Sequence, residues 1–119
     1  MAKLYRAHRN ADMLTSPAEG WCLTNEIEAA RAYGRFVAVV EIDDTGLVEV
    51  DVDGYDRDNN TTPADSAAFR AALAAAGHDV VVYDDENEKG EYHLTWRLLT
   101  TRAVASCRVV RVIDTRDDD

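Results

Sequence analysis

No apolar run in the chain approaches the roughly 20 residues that a membrane-spanning helix needs. The opening Met1-Ala2-Lys3-Leu4-Tyr5-Arg6 has no apolar stretch of the kind a signal peptide carries. The expectation from both is a cytoplasmic protein with no membrane partner. Cysteine is scarce: Cys22 and Cys107 are the two present. Each sits in an apolar, strand-like segment, which suits a buried free thiol better than a disulfide or a metal ligand. The three histidines, His8, His78 and His93, share no metal-ligand spacing, so no metal site is expected. A nucleophile elbow, a phosphate-binding P-loop and a dinucleotide glycine fingerprint are all missing. Basic charge is also in short supply, 13 Lys and Arg against 23 Asp and Glu, for a net charge of −10. That balance argues against direct nucleic-acid binding, which needs a positive surface.

The acid is unevenly placed. Residues 41–58 hold eight acids against Arg57, and residues 84–91 add five against Lys89, whereas residues 1–40 are slightly basic. Solubility alone accounts for such a surface. The same charge would also suit a basic protein partner.

With 119 residues the chain is long enough for one domain with its own core. Its most informative stretch is Gly20 to Gly34. Trp21-Cys22-Leu23-Thr24 reads as a short strand. Asn25 then offers a helix N-cap, with Glu28 three residues on, as in a capping box. Ile27, Ala30 and Tyr33 fall near one helical face, and Gly34 can close the helix in the left-handed conformation. Thr24 stands at the junction, where a hydroxyl and free backbone N–H groups would suit a phosphate or a sugar; it would equally serve to cap the helix.

Ahead of this stretch, Lys3–His8 reads as a strand, with Leu4, Arg6 and His8 on one face. Two basic side chains on a central strand require water, a partner or a ligand. Arg9–Glu19 reads as a loop long enough to edge a pocket. Beyond Gly34, Phe36–Ile42 and Leu47–Val52 read as a hairpin around the Asp43–Gly46 turn. Thr62-Pro63 would open a second helix whose apolar face is Phe69, Ala72, Leu73 and Ala76 and whose end is Gly77. His78–Tyr83 is a buried strand, and residues 84–91 an acidic loop. Tyr92, Leu94, Trp96 and Leu98 alternate with Glu91, His93, Thr95 and Arg97, as in a half-buried strand. Thr100-Thr101 reads as a turn, Val104–Val112 as a last strand, and Asp114–Asp119 as a frayed acidic tail. Strand runs broken by two helices indicate an α+β domain over residues 1–113, with mixed or antiparallel sheets.

Tyr5-Arg6, then Gly20-Trp21-Cys22-Leu23-Thr24, then Ala29-Ala30 with Tyr33-Gly34 resemble, in order and spacing, the opening of small ADP-ribosyltransferase-fold proteins, many of them bacterial or phage-encoded. Gly77-His78-Asp79-Val80 with Val82-Tyr83 resembles the lead-in to the loop bearing that family's functional glutamate. Glu88-Lys89-Gly90 and Tyr92 resemble its exit. The resemblance implies an ADP-ribosyltransferase-like fold and NAD as substrate. Arg6 and His8 would lie on the NAD-binding strand; Arg6 would hold ribose or pyrophosphate oxygens. Thr24 would position the nicotinamide-side ribose, and Tyr33 would stack or pack below it. Glu88, in the Glu86-Asn87-Glu88 pattern, would be the catalytic acid, with Glu91 as its competitor; His93 stands where a Glu-x-Glu motif placed at Glu91 would carry its second acid. The implied activity is NAD-dependent transfer of ADP-ribose to a macromolecular acceptor, a protein foremost. The alternative is a non-catalytic acidic protein that occupies a basic partner, such as a nucleic-acid-binding protein.

Overall fold

The computed structural model describes residues 2–54, 61–86 and 92–118. Among these residues seven strands form one sheet: β1 (Ala2–His8), β2 (Cys22–Thr24), β3 (Phe36–Ile42), β4 (Glu49–Asp51), β5 (Val80–Glu86), β6 (Tyr92–Leu98) and β7 (Cys107–Asp114). Their order across the sheet is β4-β5-β6-β2-β1-β3-β7. Every neighbouring pair is antiparallel except β4 with β5. Three α-helices accompany it among the described residues: α1 (Ile27–Arg31), α2 (Ala67–Ala75) and α3 (Thr101–Ala105). The α+β expectation therefore holds, with three helices rather than two. Among the described residues no helix is long and apolar enough to cross a membrane.

The sheet is covered on both faces because its strands alternate. On one face Leu4, Leu23, Ala38, Val40, Ile42, Val80, Val82 and Leu98 form the larger core. Leu14, Trp21 and Ala103 close over it from the connecting segments and α3. Burying a Leu or Val fully is worth about 1.5–3 kcal/mol, so this layer dominates the fold's stability. On the other face Ala64, Val81 and Tyr83 pack with Leu73 of α2. The α1 helix covers β1 and β3 on that second face through Ala29 and Ala30, both buried.

Several local expectations are corrected. The residues after β3 do not return as a hairpin. β3 is already paired on both sides, with β1 and β7, so β4 crosses to the far edge and runs parallel to β5. Thr100 accepts a hydrogen bond from the Ala103 backbone N–H at 3.1 Å, and this N-cap turns the expected turn into α3. Val104 consequently lies in α3, and β7 begins at Cys107 and runs through Asp114. Asp114 is not frayed: Arg35 Nε donates to it at 2.8 Å, and Thr115 N–H donates to the Arg35 carbonyl at 3.0 Å. Ser66, not Thr62, caps α2, through the Phe69 N–H at 3.2 Å; Thr62-Pro63 instead open a single 3-10 turn. Ala72 and Ala76 are exposed, while Phe69 and Leu73 are half-buried. Gly77 ends α2 with φ of +98°, as the pattern indicates. Both cysteines are free and half-buried rather than buried. β7 is an edge strand, blunted by a bulge at Val110 and by Arg108 and Arg111.

Candidate functional site

Thr24 ends β2 and α1 starts three residues later, so the strand-to-helix junction forms. Its cap differs from the expected one. Glu26 is the N-cap and makes no side-chain bond; Thr24 Oγ1 accepts the Glu26 N–H at 3.4 Å. The helix ends at Arg31, and Gly34 is not left-handed. Its glycine is required by close approach instead: a Cβ there would sit 2.5 Å from the His8 carbonyl carbon and 2.8 Å from its oxygen.

The sheet opens between β1 and β2, the two central strands. Their ladder registers at one position, Tyr5 opposite Thr24. Next to it the Arg6 side chain enters the opening. Its Nη1 donates to the Cys22 carbonyl at 3.3 Å, and its guanidinium carbon lies 4.9 Å from the Trp21 ring centroid. The buried Nε has no hydrogen-bond partner among the described residues. Burial lowers the Arg6 pKa, the Cys22 thiol opposes that, and Arg97 adds to the lowering.

A cleft of about 280 Å³ lies at this opening, near the lower end of the roughly 300–1,000 Å³ typical of ligand sites. Arg6, Cys22, Thr24, Tyr33, Asp85 and His93 are among its lining residues. The sheet thus brings together Arg6, Thr24 and Tyr33, which the sequence separates by up to 27 positions. His8 is not part of the lining; its Nδ1 accepts the Asn10 N–H at 3.0 Å. Glu88 and Glu91 lie outside the described residues.

Two lining residues, His93 and Thr95, come from a face that the alternation assigns to solvent, and a third, Asp85, from a stretch that reads as a loop. β6 is an inner strand, so its polar side faces the cleft rather than water. His93 and Thr95 are 6% and 3% exposed, whereas Leu94 is 39% exposed. β5 also continues past Tyr83, so Asp85 stands on a strand and not in a loop. Asp85 is the direct cross-strand partner of His93. The His93 Nδ1 is buried without a partner among the described residues, and the ring meets Tyr33 edge-on at 5.9 Å and 75°. The signal for Asp85 was present as period-two spacing from Val81 and Tyr83.

Beside the cleft, Arg97 fixes the strand that lines it. Its Nε donates to the Gly20 carbonyl at 3.2 Å, and its Nη1 donates to Asp65 at 2.7 Å. Burial works against this cation, but Cys22, Tyr83 and Asp65 together raise its pKa. Burial pushes the Tyr83 phenol well above its ordinary value, so it stays neutral, 3.9 Å from Cys22 Sγ. No three metal-ligating side chains converge among the described residues. Chemically, the cleft offers one cation, two buried threonine hydroxyls, a carboxyl group and an imidazole on a partly apolar floor. Comparison with protein-family models, with curated proteins and with solved structures finds no match to this chain.

Proposed function

We propose that the cleft binds NAD and that the protein, an ADP-ribosyltransferase-like domain, transfers ADP-ribose to a macromolecular acceptor, a protein foremost. One observation carries the reading: Arg6, Thr24 and Tyr33, three of the six residues the resemblance implicates, line a single cleft where β1 and β2 part. The polar groups suit such a ligand. An arginine Nε–H buried without a partner is a donor held for an oxygen. Thr24 lines the cleft, and its hydroxyl, which accepts the Glu26 N–H, keeps its own proton to donate to a ribose oxygen. The cleft's volume accommodates part of a dinucleotide, with the remainder lying along the surface. Cleaving the nicotinamide–ribose bond develops positive charge on the ribose, which a nearby carboxylate stabilises. A cytoplasmic setting fits an NAD-consuming activity.

A second reading is favoured by the acidic flank of β4. Asp43, Asp44, Glu49, Asp51 and Asp53 are all exposed there, and burial together with Asp44 and Asp51 raises the Glu49 pKa. Crowded carboxylates of that kind would be relieved by a basic partner. Nicotinamide release from NAD, with and without cell lysate as acceptor, separates the two. Release above the uncatalysed rate is expected. A protein that neither binds NAD nor releases nicotinamide, yet captures a basic partner in a salt-sensitive way, decides for the binder.

A further inference from the structure

We infer that Asp85 and His93 are the working pair of the cleft: the Asp85 carboxylate faces the ribose, and His93 receives the proton of the incoming acceptor. This rests on the NAD reading above and assigns its chemistry to residues outside the acidic loop.

Position comes first. Val81, Tyr83 and Asp85 alternate onto one face of β5, so the register of a strand fixes Asp85. Sites on regular elements hold geometry better than sites on loops. Among the described residues Asp85 is the acid that lines the cleft. Directly opposite, His93 shares that lining, and cross-strand side chains have Cβ atoms about 4.5–5.5 Å apart.

His93 supplies an independent observation. It is more than nine-tenths buried, and its Nδ1 has no partner among the described residues. Leaving a buried polar atom unsatisfied costs about 1–3 kcal/mol. A ligand group that reached this nitrogen would recover that loss. The Tyr33 ring packs against the imidazole in a T-shaped contact at 5.9 Å.

Spacing then assigns the ends of the ligand. Two strands, β6 and β2, separate β5 from β1, about 14 Å across the sheet at about 4.8 Å per step, and the register sets Arg6 about three residues out of level with Asp85, so their backbones lie on the order of 17 Å apart. A phosphate held by Arg6 and a ribose facing Asp85 are compatible with that span.

The step balances as follows. The ribose C1′–N bond breaks and its electron pair goes to the pyridinium nitrogen, so neutral nicotinamide leaves. The oxocarbenium ion left on the ribose faces the Asp85 carboxylate. The acceptor's nucleophile bonds to C1′, and its proton passes to His93 Nδ1 and then to water. No other reactant is consumed.

The test is steady-state nicotinamide release by the full-length protein and by five variants. Asp85→Asn should lower kcat about a hundredfold or more, with KM for NAD within about threefold. Asp85→Glu should restore part of that loss, and His93→Gln should lower kcat by a similar order. Glu88→Gln and Glu91→Gln should each lower kcat less than Asp85→Asn does. Should Asp85→Asn fail to fold, Asp85→Glu and His93→Gln carry the test, each expected to lower kcat at constant KM. Wild-type turnover in the Asp85 and His93 variants, with loss in Glu88→Gln or Glu91→Gln, would overturn the pair and leave NAD as substrate. Wild-type protein that neither binds NAD nor releases nicotinamide would overturn both.

Discussion

Replacing Arg6 by methionine tests whether that cation is kept for a ligand or for the fold. Its intramolecular partners are modest. The Trp21 ring at 4.9 Å offers about 0.5–2 kcal/mol of cation–π attraction. The 3.3 Å bond to the Cys22 carbonyl is long and worth at most about 1 kcal/mol net. Against these stands the partial desolvation of a half-buried guanidinium with no ion-pair partner among the described residues, a penalty on the order of 1–2 kcal/mol once solvent screening is allowed for. Methionine keeps an unbranched stem over Trp21, and its sulfur recovers up to about 1 kcal/mol against the ring. The net change should therefore fall within about 1 kcal/mol of zero, a Tm shift of no more than about 4–5 °C for a chain of this size. NAD affinity should meanwhile fall about ten- to a hundredfold, the worth of a charge-assisted hydrogen bond. Thermal melts with and without NAD measure both quantities. A Tm drop of more than about 12 °C would show that Arg6 is structural and refute this reasoning, because removing one member of a buried, well-paired ion pair costs about 3–5 kcal/mol.

Gly34→Ala should destabilise by about 2–3 kcal/mol, because the new Cβ meets backbone of His8 and Arg9 at 2.5–2.9 Å. Gly77→Ala, which has open space but φ of +98°, should cost less, about 1–2 kcal/mol; a milder effect at Gly34 than at Gly77 in parallel melts would contradict the close approach. The Arg35 hydrogen bonds hold the Asp114 pKa at about 2 against an ordinary 3.8. A depressed carboxyl pKa stabilises the fold above the unfolded value, and that contribution disappears as pH falls from about 4 to 2. Asp114→Asn should therefore flatten the fall of Tm in that window, and parallel curves for the two proteins would count against the pair.

How much of this was legible in the sequence can be argued from particular residues. The succession of β1, β2, α1, β3, β4, α2, β5, β6 and β7 follows from hydrophobic period and from turn residues such as Gly46 and Gly77, which are local signals. Thr24 at the end of β2 was legible for the same reason. Pairing was not. Whether β4 returns to β3 or crosses to β5 depends on which strand edges are already occupied, and no window of sequence holds that. The helix α3 was hidden because five residues carry too little periodicity, and its cap, Thr100, is itself held by donating its hydroxyl to Asp79 at 2.8 Å, just ahead of β5 and 21 residues away. The cleft was half visible. Arg6 announced itself as a cation on a central strand. His93 and Thr95 did not, because alternation shows which residues share a face but not that an inner strand has two covered faces. Asp85 was taken into the acidic loop by its neighbours, although its spacing from Tyr83 continues the strand.

The most direct test of the central claim is a titration of isotope-labelled protein with NAD, followed by amide chemical shifts. Saturable shifts are expected at Arg6, Thr24, Tyr33, Asp85 and His93, at the opening between β1 and β2, and they should be strongly reduced in Arg6→Met. Shifts that are absent, or that cluster on the acidic flank of β4 and spare the cleft, would contradict the assignment of this opening as the NAD site.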